Sequence, residues 1–135
     1  MIWGVRAAAA AGLALAGIVA APASAVAEEY YYWRWSDGST TAARTFTQAE
    51  YGIPSNLPHL IVTAQPASPR REVRLQFSSD GRWTTESTAR TDSRGIARIR
   101  LDPTCAGGAW CEDTLRYQLL VGGQSARLTI TYSED

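Results

Sequence analysis

Between residues 71 and 132 apolar side chains recur at every second position, and turn residues cut the runs into short lengths. In an extended chain successive side chains point to opposite faces, so this alternation marks half-buried strands. Val73, Leu75 and Phe77 share one side, and Arg74, Gln76 and Ser78 the other. Ser79-Asp80-Gly81 makes a turn, and Trp83 opens a polar strand that runs to Ala89. A second turn, Asp92-Ser93-Arg94-Gly95, leads to Ala97, Ile99 and Leu101, which alternate with Ile96, Arg98 and Arg100. Residues 115–121, the pair Gly122-Gly123, and then Ala126, Leu128, Ile130 and Tyr132 predict a closing hairpin. Upstream, Leu60, Val62 and Ala64 share a face, and Pro66 and Pro69 end that strand. Past the N-terminal stretch no apolar helical face exceeds two turns. The expectation is an all-β, antiparallel sandwich of seven or eight short strands.

The first 27 residues follow another rule: a short start carrying Arg6, an apolar run over 7–21, and small residues around Pro22. This is the pattern of a secretory signal peptide, with cleavage expected after Ala25 or Ala27. An apolar run of mostly alanine falls short of the roughly 20 residues a membrane-spanning helix needs. No cysteine follows the cleavage region for a lipid anchor, and the polar end Ser133-Glu134-Asp135 offers no anchoring tail. The reading is a secreted, extracellular protein with a single domain over 28–135, of ordinary single-domain size.

All 13 basic residues of the chain are arginine, against 13 acidic residues. Loss of Arg6 with the leader would leave a net charge near −1, which argues against nucleic acid or a membrane surface as electrostatic partner. Absence of lysine also removes Schiff-base chemistry and the lysine of a phosphate-binding loop. Beside abundant alanine, arginine and glycine, it points to a GC-rich bacterial genome.

Cys105 and Cys111 are the two cysteines, separated by a stretch that includes Gly107-Gly108. In an oxidising compartment such a pair is more often a disulfide than a metal site. The chain-entropy relation puts the bond at about 2.4 kcal/mol for so short a loop. A tetrahedral zinc site wants four ligands and the chain has one histidine, His59, so no metal and no cofactor are expected.

Catalytic patterns are equally sparse. No Gly-x-Ser-x-Gly elbow accompanies His59. The acidic neighbours Glu28-Glu29, Glu112-Asp113 and Glu134-Asp135 would point to opposite faces of a strand, whereas glycoside hydrolysis needs two carboxyls facing one another. A non-enzymatic protein is expected.

Residues 30–47 are predicted as an aromatic N-terminal hairpin, with Ser36-Asp37-Gly38-Ser39 at its turn. Residues 48–58, broken by Gly52, Pro54 and Pro58, follow as a connecting loop. Along the first strand Tyr31, Trp33 and Trp35 share one face, and Tyr30, Tyr32 and Arg34 the other. Both faces cannot easily be core. Tyr30, Tyr32 and Arg34, of types enriched at binding hot spots, are therefore the candidate binding residues.

Val73-Arg74-Leu75-Gln76, Gly81-Arg82-Trp83-Thr84-Thr85, Ala89-Arg90-Thr91-Asp92, Gly95, Tyr117 and Val121-Gly122-Gly123-Gln124-Ser125 together resemble the immunoglobulin-like modules of secreted actinobacterial proteins. That resemblance covers about 71–132 and implies an immunoglobulin-like sandwich with an extracellular adhesive or spacer role. Residues 30–57 and the 105–111 loop lie outside its pattern. Trp33-Arg34-Trp35 is similar to the Trp-Arg-Tyr inhibitory segment of small secreted α-amylase inhibitors, with Trp in place of Tyr. Residues 89–101 and the cysteine loop look broadly like the secreted apo-chromoproteins that carry small molecules, without their usual second disulfide. The leading expectation is a binding or structural module for an extracellular protein or polysaccharide. A secreted inhibitor of an extracellular hydrolase (α-amylase or protease) and a small-molecule carrier, its crevice lined by Trp83 or Trp110, are the alternatives.

Overall fold

The computed structural model describes the backbone of Ile2–Arg6 and the whole of residues 29–135. Cleavage after Ala25 or Ala27 and the apolar run of the expected leader lie outside the described residues. Ile2–Arg6 (β1), at the start of that leader, is a strand set antiparallel beside Glu29–Trp35 (β2), with Arg6 at the register position of Glu29.

Residues 29–135 fold into two sheets around one core. The first sheet has the order β1-β2-β4-β7, with β4 at Leu60–Gln65 and β7 at Ile96–Ile99. The second has the order β3-β9-β8-β5-β6. Its strands are Ala43–Thr47 (β3), Glu72–Ser79 (β5), Arg82–Arg90 (β6), Asp113–Val121 (β8) and Gln124–Ser133 (β9). The all-β sandwich expected from the alternation is present, with eight strands between 29 and 135, but it is not wholly antiparallel, because β3 runs parallel to β9.

Alternation dictates what fills the space between the sheets. Tyr31, Trp33 and Trp35 of β2, Leu60, Val62 and Ala64 of β4, and Ala97 and Ile99 of β7 are all buried. Facing them are Phe46, Val73, Leu75, Tyr117, Leu119, Leu128, Ile130 and Tyr132 from the second sheet. A one-residue slip in any of these strands would turn its apolar set toward water, so burial pins the register.

The expected hairpin over 30–47 does not form. β2 pairs with β4 in the first sheet, and β3 runs parallel to β9 in the second, so the turn after Trp35 carries the chain across the sandwich. The reason is aromatic packing: Trp35 meets Phe46 edge-on at 5.4 Å between ring centroids. Neighbouring strands of a hairpin could also bring two rings together; what a hairpin would forfeit is the pairing of β3 with β9, which sets Phe46 beside Tyr132 and faces both toward Trp35. The 48–58 connection then returns to the first sheet through a short helix at Gln48–Tyr51 (α1), capped by the Thr47 hydroxyl, and a 3-10 turn at Pro54–Asn56.

The other turns follow their residues. Asp80 and Gly81 both take positive φ, 53° and 76°, the two-residue geometry that joins twisted strands. In the turn before β7, Asp92 Oδ1 accepts hydrogen bonds from the backbone N–H of Arg94 and Ile96, and Gly95 sits at φ 79°. Its backbone presses on the chain after β4: a Cβ there would lie 2.9 Å from Ala67 Cα and 3.1 Å from Ala64 O. Both contacts are backbone, so the neighbours have little room to yield. Gly95→Ala is therefore expected to destabilise the domain by at least about 1–3 kcal/mol, read as a lower urea midpoint with unchanged slope.

Candidate functional site

The outward face of β2 is completed by strands distant in sequence. Register sets Arg34 opposite Ile61 on β4, and Ile61 opposite Arg98 on β7. One step along, Tyr32, Thr63 and Ile96 form the next row, and Tyr30 stands opposite Gln65. Neighbouring strands lie about 4.8 Å apart, so the Arg34 and Arg98 backbones are separated by about 10 Å. Arg34, Arg98 and Arg100 are exposed, and Tyr30 and Tyr32 half-buried. Expected site residues Tyr30, Tyr32 and Arg34 thus share one solvent-facing sheet surface.

His59, just before β4, joins the charged end of this face. Its Nε2 lies 3.2 Å from Arg98 Nη1, and its backbone bonds Ser36 in both directions. Burial holds the imidazole below its ordinary 6.5, and the positive charges of Arg100, Arg98 and Arg34 add to the effect. Among the described residues the ion pairs are Arg44–Asp37, Arg71–Glu29, Arg74–Glu72 and Arg90–Glu72. Arg34, Arg98 and Arg100 enter none of them. Alternation alone singles out Arg34; joining it to His59, Arg98 and Arg100 requires the β2-β4-β7 order, for which no local signal exists.

Trp33-Arg34-Trp35 does not protrude. Trp33 and Trp35 are 1% and 0% exposed, and the Trp35 indole N–H donates to Thr41 O at 2.9 Å. The Arg44 guanidinium covers the Trp35 ring at 5.1 Å and is itself paired with Asp37. Only Arg34 of the three reaches solvent, because a paired strand shows water every second residue.

Cys105 and Cys111 are joined as expected, with Cα atoms 5.1 Å apart, and a bridge between Thr104 and Trp110 closes the same loop. Beside it opens a cavity of about 340 Å³ lined by Phe77, Glu86, Asp102, Thr104, Leu115 and the disulfide. Neither tryptophan expected to line a crevice is there: Trp110 is buried, and Trp83 lies under the Arg127 guanidinium at 5.0 Å. The sequence offered no sign of this cavity, since Glu86 lies in a polar strand and Asp102 in a loop.

Within the cavity the two carboxyls differ. Asp102 is exposed and caps Thr104 through its N–H and hydroxyl. Burial raises Glu86 above its ordinary 4.5, aided by the Asp102 charge and opposed by hydrogen bonds from Asp102 N–H and the Tyr117 hydroxyl. Tyr117 and Tyr132 share a hydroxyl–hydroxyl bond of 3.0 Å, and burial pushes both phenols upward. Among the described residues no cluster of three or more histidine, cysteine or acidic side chains could hold a metal ion.

No family model, curated protein or solved structure matches the chain.

Two titrations check this electrostatic account. The single histidine should titrate with a midpoint below 6.5 by NMR, and Arg98→Gln should move that midpoint upward. A carboxyl whose folded pKa is raised contributes stability below its unfolded value and loses it as pH rises through the folded one. Glu86→Gln should therefore raise Tm near pH 7 and give no gain at about pH 4.

Proposed function

We propose that this protein is a secreted, non-enzymatic recognition module of immunoglobulin-like topology that binds an extracellular protein or polysaccharide through the outer face of β2-β4-β7. The observation that carries the reading is the outward row of half-buried Tyr30 and Tyr32 and exposed Arg34, set on the strand whose other face, Tyr31, Trp33 and Trp35, lies in the core. Sites built on strands hold their geometry without ordering a loop on binding.

Strand order supports the topology. Lettered from β2, the β2-β4-β7 sheet corresponds to strands A, B and E of an immunoglobulin domain, and β9-β8-β5-β6 to G, F, C and C′. Export is supported by the signal pattern and by the Cys105–Cys111 bond, which favours an oxidising compartment. Among the described residues no helix is long and apolar enough to cross a membrane.

A second reading, a small-molecule carrier, draws on the cavity of about 340 Å³ beside the disulfide. Its volume is at the low end of the range for ligand pockets. Inhibition of a hydrolase draws less support, since Trp33 and Trp35 are buried and the segment would have to act through Arg34 alone.

Pull-down with the tagged protein from culture medium and cell wall should yield the partner, and variants then test the face. Tyr32→Ala and Arg34→Ala are each expected to weaken that partner's binding by about tenfold or more, with Tm unchanged. Full affinity in both variants would remove this face from the account; saturation of the Glu86 cavity by a small molecule would favour the carrier.

A further inference from the structure

We infer that the ligand of this face is an acidic polysaccharide, a glycan bearing carboxylate or phosphate groups, held by Arg34, Arg98 and Arg100 with Tyr32 against its sugar rings. This rests on the recognition reading above and narrows it to one ligand chemistry. The chain as a whole is neutral, with 13 basic and 13 acidic residues, so a cluster of three exposed arginines that enters none of the ion pairs among the described residues is a local concentration of positive charge, offset in part by Asp92, whose carboxylate acts on Arg98. The groups acting on His59 are burial and three arginines, with no carboxylate among them. Arginine keeps its charge at any physiological pH and presents a planar fork matched to carboxylate or phosphate oxygens.

Geometry favours a glycan over an acidic peptide. Arg34 and Arg98 stand on different strands with Ile61 of β4 between them, so a ligand that meets both lies across the strands, whereas a peptide added at the β2 edge, which loss of the leader would free, runs along them and reaches Arg34 alone. Arg34 and Arg98 stand about 10 Å apart across the strands, comparable to a disaccharide, so each can meet an anionic group on successive repeats. Tyr32, in the adjoining row, supplies an apolar ring with a polar tip, suited to the C–H face of a pyranose. His59 accepts from Arg98 Nη1 and steadies that guanidinium, which makes it a positioning residue.

Titration of the full chain with four polymers tests this: polygalacturonate, a phosphorylated mannan, neutral dextran and poly-L-glutamate. Saturable binding is expected to polygalacturonate, the phosphorylated mannan or both, weakening as salt rises, with the preference between them identifying the anionic group. Arg34→Gln combined with Arg98→Gln should weaken it by about tenfold or more, and Tyr32→Ala should weaken it as well. Arg116→Gln, an exposed arginine on the other sheet, should leave it unchanged, and matching melting curves would show every variant folded. Equal binding of poly-L-glutamate would overturn the glycan assignment. Binding of dextran that ignores the arginine substitutions but falls with Tyr32→Ala would overturn the anionic assignment and keep the recognition face. No binding to any of the four would overturn the inference, while an independently captured partner still sensitive to Tyr32→Ala would leave the broader reading in place.

Discussion

Packing of the β2 aromatics against the opposite sheet is the contact on which the rest of the molecule depends. Trp33 and Trp35 meet edge-on at 6.4 Å, Trp35 meets Phe46 at 5.4 Å, and Phe46 continues to Tyr51 and Tyr132. Each such pair adds about 0.5–1.5 kcal/mol beyond the area it buries. The chain of rings spans both layers and reaches the α1 helix. Because side chains alternate along a strand, committing these rings to the core also commits Tyr30, Tyr32 and Arg34 to the outside. Structure and presentation are two sides of one strand.

Next to this chain of rings, from Tyr132 onward, the packing is polar. Tyr117 and Tyr132 on neighbouring strands bond through their hydroxyls, and Tyr117 passes the contact to Glu86 on the edge strand β6. Buried hydroxyls that lack partners are costly, so this network ties β9, β8 and β6 together under the disulfide loop. Its carboxyl end faces the cavity and is partly desolvated, which is the source of its shifted titration. The outer face of the first sheet differs: its arginines are exposed, and Arg98 meets the His59 ring.

Much of this was readable along the chain. The inward sets Val73-Leu75, Ala97-Ile99-Leu101 and Leu128-Ile130-Tyr132 are buried where period-2 alternation puts them, and the Asp80-Gly81 and Gly122-Gly123 turns join the strands they flank. The Cys105–Cys111 bond followed from short spacing across glycines. The 30–47 hairpin was misread because two strands joined by a turn cluster look alike whether they pair in one sheet or pass between two. The pairing of β3 with β9, which seats Phe46 beside Tyr132 and opposite Trp35, separates those cases.

The sequence by itself determined strand character, the two faces of each strand and the reach of the cysteine loop, since all three follow from local stereochemistry and short-range spacing. Tertiary structure decided which strands became neighbours. That choice set Arg98 beside His59, and Glu86 beside Asp102 and Tyr117, over separations from 16 to 39 residues. Alternation tells which side of a strand meets water. It says nothing of the strand lying next to it, because hydrogen-bonded pairing is almost indifferent to side chains, and burial across the whole sandwich selects the partner.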